Sequence, residues 1–98
     1  MNVTTVRHAA GIWFVYMLRC ADRTLYTGIT NDLVRRCRQH NAATASRYTR
    51  GRLPVTLVYQ ETQATRSLAL RREAAIKALS RREKEILVQS VRKKLALN

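Results

Sequence analysis

The chain has 98 residues, in which 19 Lys and Arg stand against 6 Asp and Glu for a formal net charge of +13. This length makes one domain that buries roughly two-thirds of its unfolded surface, which excludes two catalytic domains and a large cofactor cradle. At 46% apolar the chain is too hydrophobic for disorder, and so basic a small body calls for an anionic partner, nucleic acid first.

Residues 1–12 carry mixed small and polar side chains without a period and read as a flexible arm. Trp13 to Leu18 is a β-branched and aromatic run, a strand expected to be buried on both faces. Ala21, Asp22 and Arg23 make a turn, and Thr24 to Thr27 a second short strand stopped at Gly28, so the two form a hairpin. Asn31 or Asp32 caps a helix running to about Asn41, with Leu33, Val34 and Cys37 as its apolar stripe and Arg36 and His40 together on the flank. Ala42 to Leu53 reads as a basic loop holding Arg47, Arg50 and Arg52. Pro54 opens a third strand, Val55 to Gln60, with Val55, Leu57 and Tyr59 on one face.

From Thr65 the period becomes helical, and Leu68, Ala69, Ala75, Ile76 and Leu79 gather on one side, with Arg72 unaccounted for inside the stripe. Ser80 and Glu83 form a capping box that starts a last helix through Ile86, Leu87, Val91 and Leu95. The expected fold is α+β, a small three-stranded antiparallel sheet flanked by helices in the order ββαβαα. Its domain spans 13–92, and 93–98 form a tail. The longest apolar run, Ile12 to Leu18, is seven residues, far short of the about 20 needed to cross a bilayer. No signal peptide is recognised, so a cytoplasmic protein without a membrane partner is expected.

Of the 19 cations fifteen are Arg, whose planar fork grips two phosphate oxygens at once. Cys20 and Cys37 make no disulfide framework, and with His8 and His40 they lack the paired knuckles of a zinc site. Among the acids, Asp22 sits in a turn, Asp32 at a cap, Glu61 at a strand end, and Glu83 and Glu85 in a helix's first turns. Glu73 differs: it lies mid-helix on the edge of the apolar stripe, where the alternatives are an ion pair with Lys77 and a metal ligand. Tyr16 and Tyr26 emerge on one face only if Leu18 lies opposite Tyr26. A tyrosine is a poor base unaided, with about 0.1% phenolate at pH 7, so a catalytic one is expected to have its pKa lowered by the surrounding cations.

Phe14-Val15-Tyr16, then Tyr26-Thr27-Gly28, then Arg36 eight residues after that glycine, then Glu73 in a later helix, resemble the GIY-YIG nuclease domain. His40-Asn41, Tyr48-Thr49-Arg50-Gly51 and Glu73-Ala74-Ala75-Ile76-Lys77 resemble its small single-domain bacterial branch, the YhbQ-like UPF0213 group, over residues 13–88. The first motif departs from the family by starting with Phe14 where glycine is usual. The resemblance implies a DNA endonuclease using one Mg²⁺ or Mn²⁺ held by Glu73, with Tyr16, Tyr26, Arg36 and His40 catalytic and Gly28 structural. Arg35, Arg47, Arg50, Arg52 and Lys77 are then the backbone-binding cations, with nucleic acid (DNA ahead of RNA) as partner and no small-molecule cofactor. The alternative is a non-catalytic basic nucleic-acid binder of the same fold. Either predicts strong salt dependence: with about six phosphates contacted, log affinity for duplex DNA falls against log salt with a slope near −5, readable by fluorescence anisotropy.

Overall fold

The computed structural model describes residues 11–97, with side chains as far as Val91. Residues 1–10, which hold most of the expected arm and His8, and Asn98 lie outside the described residues. The strands are β1 (Trp13–Arg19), β2 (Leu25–Thr30) and β3 (Thr56–Gln63). The helices are α1 (Leu33–Asn41), α2 (Arg47–Arg50), α3 (Arg66–Lys77) and α4 (Arg81–Leu97). The order ββαβαα holds, with one turn of helix, α2, inside the basic loop. That turn forms because Ser46 caps it, its hydroxyl accepting from Tyr48 N at 3.1 Å.

Side-chain caps start the other helices as well. Asp32 accepts from Arg35 N, and Thr65 from Leu68 N, both at 3.1 Å. Ser80 and Glu83 cap reciprocally, at 2.8 and 3.1 Å. Asp22 accepts from the amide and hydroxyl of Thr24 and so closes the β1–β2 turn, where Arg23 adopts φ 72°.

The sheet is antiparallel in the order β2-β1-β3. With a strand on either side and helices on both faces, β1 buries five consecutive residues, Phe14 to Leu18. Its alternation sorts the core into two layers. Val15 and Met17 join Tyr59 beneath Ala69 and Ile76 of α3 and Val88 of α4. Tyr16, Leu18 and Cys20 join Val55 on the opposite face, where Leu33 and Cys37 of α1 pack. No helix among the described residues is long and apolar enough to cross a membrane.

Four expectations need correction. Val55, Leu57 and Tyr59 do not share a face: Met17 pairs with Tyr59 but Leu18 with Leu57, so a bulge passes over Val58 and reverses the alternation. Tyr59 is therefore buried in the first layer and Val55 in the second, while Leu57 is exposed. Second, β2 does not stop at Gly28. The strand runs through it to Thr30, because the glycine is paired with Tyr16 and lies beneath that ring.

Third, Leu68 and Ala75 of α3 are exposed, and its inward stripe is Ala69, Arg72, Glu73 and Ile76. Arg72 lies there because Nε donates to both oxygens of Glu61, at 3.0 and 2.9 Å, while Tyr59 donates to the same carboxylate. Fourth, Ile86 of α4 is 58% exposed, and Leu87, Val88 and Val91 face the sheet instead. Arg19 of β1 docks α4 by a two-pronged pair with Glu85, at 2.6 and 2.8 Å. That pair, reinforced by Arg81, holds the Glu85 carboxyl at about 2.

A Cβ built on Gly28 would lie 2.7 Å from the Tyr16 hydroxyl and 2.9 Å from its Cζ. Tyr16 is 2% exposed and hydrogen-bonded, so it has no room to yield. Gly28→Ala is expected to destabilise the fold by about 1–3 kcal/mol, measured by urea unfolding, because an overpacked ring must shift.

Candidate active site

The site is built from the central strand outward. In the β1–β2 ladder Leu18 lies opposite Tyr26 and Tyr16 opposite Gly28. This is the register that puts both phenols on one face, and their ring centroids are 6.4 Å apart. Because Gly28 has no side chain, the Tyr16 ring lies across β2, and its hydroxyl meets His40 of α1 at 2.8 Å from Nε2. His40 is 1% exposed and packs edge-on against both tyrosines, at 5.8 and 5.1 Å.

The second imidazole nitrogen orders the proton positions. Nδ1 lies 2.9 Å from Thr49 Oγ1, and that hydroxyl donates to the carbonyl of Ser46 at 3.4 Å. A hydroxyl has one proton to give, so Oγ1 accepts from Nδ1–H, and Nε2 is left as a lone pair that accepts the Tyr16 O–H. Electrostatics agree with a neutral ring: burial, and next the Arg36 guanidinium, lower the His40 pKa from 6.5 to about 4.

The chain's own cations do not acidify Tyr16. Burial, then the neighbouring Tyr26, hold its hydroxyl well above the ordinary phenol value. Arg36 pulls the other way, and Cys37 and Glu73 push further up. Desolvation wins because the ring is almost wholly enclosed, so the tyrosine is a protonated donor to a neutral histidine.

Arg36 and Glu73 complete the group electrostatically, since both act on the Tyr16 hydroxyl. Arg36 Nε is buried without a hydrogen-bond partner, on a guanidinium that acts on both Tyr16 and His40. Such a donor suits an anion. The acids of the chain are otherwise committed. Asp22 ties to Arg52, Glu61 to Arg72 and Glu85 to Arg19, while Asp32 and Glu83 cap helices. Glu73 pairs with Lys77 one turn along its own helix at 3.3 Å, and its side chain keeps 18% exposure.

The remaining expected cations divide. Arg35, Arg47 and Arg50 are exposed. Arg52 is not free: Nε donates to Asp22 at 2.9 Å, NH1 to the Tyr48 carbonyl at 2.8 Å, and the guanidinium lies 4.0 Å from the Tyr48 ring centroid. Two residues that the sequence offered only within the Tyr48-Thr49-Arg50-Gly51 motif, with no role assigned, join the site. Thr49 orients His40, and Tyr48 stands beside Tyr26 at 5.9 Å between centroids.

Among the described residues no three His, Cys, Asp or Glu side chains converge as a closed metal cage. A lone half-buried carboxylate nonetheless fits a hard divalent ion, which binds through one or two carboxylates and keeps its other positions for water and substrate phosphate. Zinc chemistry fits less well, since both nitrogens of His40 are already hydrogen-bonded.

The chain is similar to known proteins. Residues 12–86 match the model of the GIY-YIG catalytic domain. A UPF0213 protein of Desulfotalea psychrophila is 55% identical over 82 residues, covering 83% of this chain and 74% of the relative. The UPF0213 protein YhbQ of Escherichia coli K12 is 47% identical over 76 residues, 78% of this chain and 76% of the relative. The solution structure of a UPF0213 protein from Bacillus halodurans is similar at a TM-score of 0.53 and 42% identity, covering 80% of this chain and 83% of that one. The solution structure of a protein from E. faecalis, EF2693, reaches a TM-score of 0.55 at 36% identity, covering 89% of this chain and 88% of that one.

The neutral His40 has a pH consequence. Below 6.5 an unfolded histidine takes up a proton that the folded one refuses until about 4. Its contribution to stability is thus complete above 6.5 and declines as pH falls towards 4. Thermal unfolding across this window is expected to show a steeper acid decline for the native chain than for His40→Gln. Nitrogen NMR should find Nδ1 protonated and Nε2 bare at neutral pH.

Proposed function

The chain belongs to the GIY-YIG family, within its UPF0213 group, and from that membership we propose that it is an endonuclease that hydrolyses DNA phosphodiester bonds. The observation that carries this reading is the Tyr16–His40–Thr49 chain of hydrogen bonds beside an orphaned Arg36 nitrogen. It provides a proton path and an anion seat in one place.

The scissile phosphate takes the place beside Arg36, whose unpartnered Nε donates to a non-bridging oxygen and stabilises the charge that grows there. As water attacks phosphorus, its proton passes to the Tyr16 oxygen while the Tyr16 proton passes to His40 Nε2. The phenol is never released as a free phenolate, so its raised pKa is no obstacle. Thr49 holds Nδ1–H, which keeps Nε2 aimed at the tyrosine through the transfer. Burial and Arg36 both disfavour the imidazolium so formed. The negative phosphate compensates that repulsion, which ties proton uptake to substrate binding.

The P–O3′ bond breaks, leaving a 5′-phosphate and a 3′-oxygen protonated from solvent. Glu73 is the residue to hold one divalent ion, Mg²⁺ or Mn²⁺, whose chemistry when bound is to neutralise charge on the phosphate and the leaving oxygen. Tyr26 walls the site next to His40. Arg35, Arg47 and Arg50 supply exposed backbone-binding charge, and Lys77 counters Glu73 until the ion takes its place. Cations that bind only backbone give little sequence selectivity, so substrate structure is the expected determinant.

Purified protein incubated with labelled single-stranded, duplex and branched DNA in Mg²⁺ or Mn²⁺ is expected to cleave at least one substrate, and EDTA to stop it. Tyr16→Phe should lower the single-turnover rate by about a hundred- to ten-thousand-fold. Glu73→Gln should lose cleavage while retaining binding, since it removes a negative charge from a DNA-facing site. Binding with no cleavage of any substrate by the native chain would overturn the enzyme and leave the non-catalytic binder.

A further inference from the structure

A hollow of about 370 Å³ opens along β2, lined by Leu25, Tyr26, Thr27, Tyr48, Lys77 and Lys84. Two aromatic rings and two ammonium groups meet there, and α3 and α4 each supply one lysine. Tyr26 is shared: one side of its surroundings is His40, at 5.1 Å, and another is Tyr48, at 5.9 Å.

Tyr48 is 37% exposed, an unusual position for a ring so firmly held. Arg52 lies over it at 4.0 Å and is itself fixed by Asp22 and by the Tyr48 carbonyl. Ser46 caps its amide at 3.1 Å. A ring serving only the core would be covered. This one is rigid, wet and turned to a basic hollow.

We propose that this hollow is a nucleobase pocket, in which an unpaired base adjoining the scissile phosphate stacks on the Tyr48–Tyr26 wall while Lys77 and Lys84 clasp its flanking phosphates. The proposal deepens the nuclease reading and rests on it for the identity of the ligand as nucleic acid. Every base has a π-face, but in continuous duplex both faces are covered by neighbours. The wall therefore selects nucleotides that are single-stranded or displaced at a branch, without reading their sequence. The rigidity supplied by Arg52 matters, because a ring already fixed loses little freedom when a base arrives.

The test measures binding in EDTA, where metal-dependent cleavage is silent, by anisotropy of fluorescein-labelled oligonucleotides. Three ligands are compared: a single-stranded oligodeoxynucleotide, the same sequence as blunt duplex, and a chain of abasic deoxyribose phosphates of equal length. The native protein should prefer the single strand over both. Tyr48→Ala should weaken single-strand binding by about 5- to 150-fold, to the level of the abasic chain, while Tyr48→Phe keeps it. Lys84→Gln should make the salt slope on the single strand shallower by about 0.7.

Equal affinity of the native protein for the base-bearing and abasic chains overturns the pocket, and this comparison needs no variant to fold. So does single-strand binding by a folded Tyr48→Ala that matches the native protein. Cleavage of the same oligonucleotides in Mg²⁺ is scored separately. Base preference without cleavage keeps the pocket and removes the enzyme; cleavage without base preference does the reverse.

Discussion

The site depends on one close approach: the ring of Tyr16 lying over Gly28. Tyr16 belongs to the central strand and to the core, and the missing side chain on β2 leaves room for its ring. That gap lets the ring cross the neighbouring strand and bring its hydroxyl to His40. Burial then does two things at once. It keeps the phenol protonated and the imidazole neutral, and so sets up a donor and an acceptor with a defined direction of proton transfer.

Charge is the second organising constraint. A chain with 19 cations and 6 acids has few counter-ions to place. Three acids bind an arginine from a different element: β1 to α4 through Arg19 and Glu85, β3 to α3 through Glu61 and Arg72, and the hairpin turn to the loop after α2 through Asp22 and Arg52. Two others cap helices. Glu73 pairs with a near neighbour on its own helix, so its ion pair ties no two elements together. Arg36 is the mirror case, a half-buried cation whose shielded Nε is left without a partner.

Much of the architecture was legible. Apolar runs, Asp32, Thr65 and the Ser80–Glu83 box marked strands and helix starts within a residue or two, because caps and periodicity act over a few bonds. The misreadings share a cause. The bulge at Val58, the passage of β2 through Gly28 and the inward turn of Arg72 all answer to a residue on another strand or helix. The candidate site was legible as a set of residue types in order, but the roles of Tyr48 and Thr49 were not, because they lie in a stretch without a period, where one capped turn set them against Tyr26 and His40.

By itself, then, the amino-acid order determined the order of the main strands and helices and the basic character, and it carried the motifs that resemble the family. Tertiary structure alone decided which nitrogen of His40 is bare, why Tyr16 is less acidic rather than more, and that Arg52 serves a ring and a carboxylate rather than standing free. The reason is physical. Propensity and patterning are local and survive in any context, whereas desolvation and proton placement depend on what the rest of the chain packs around a group once it has folded.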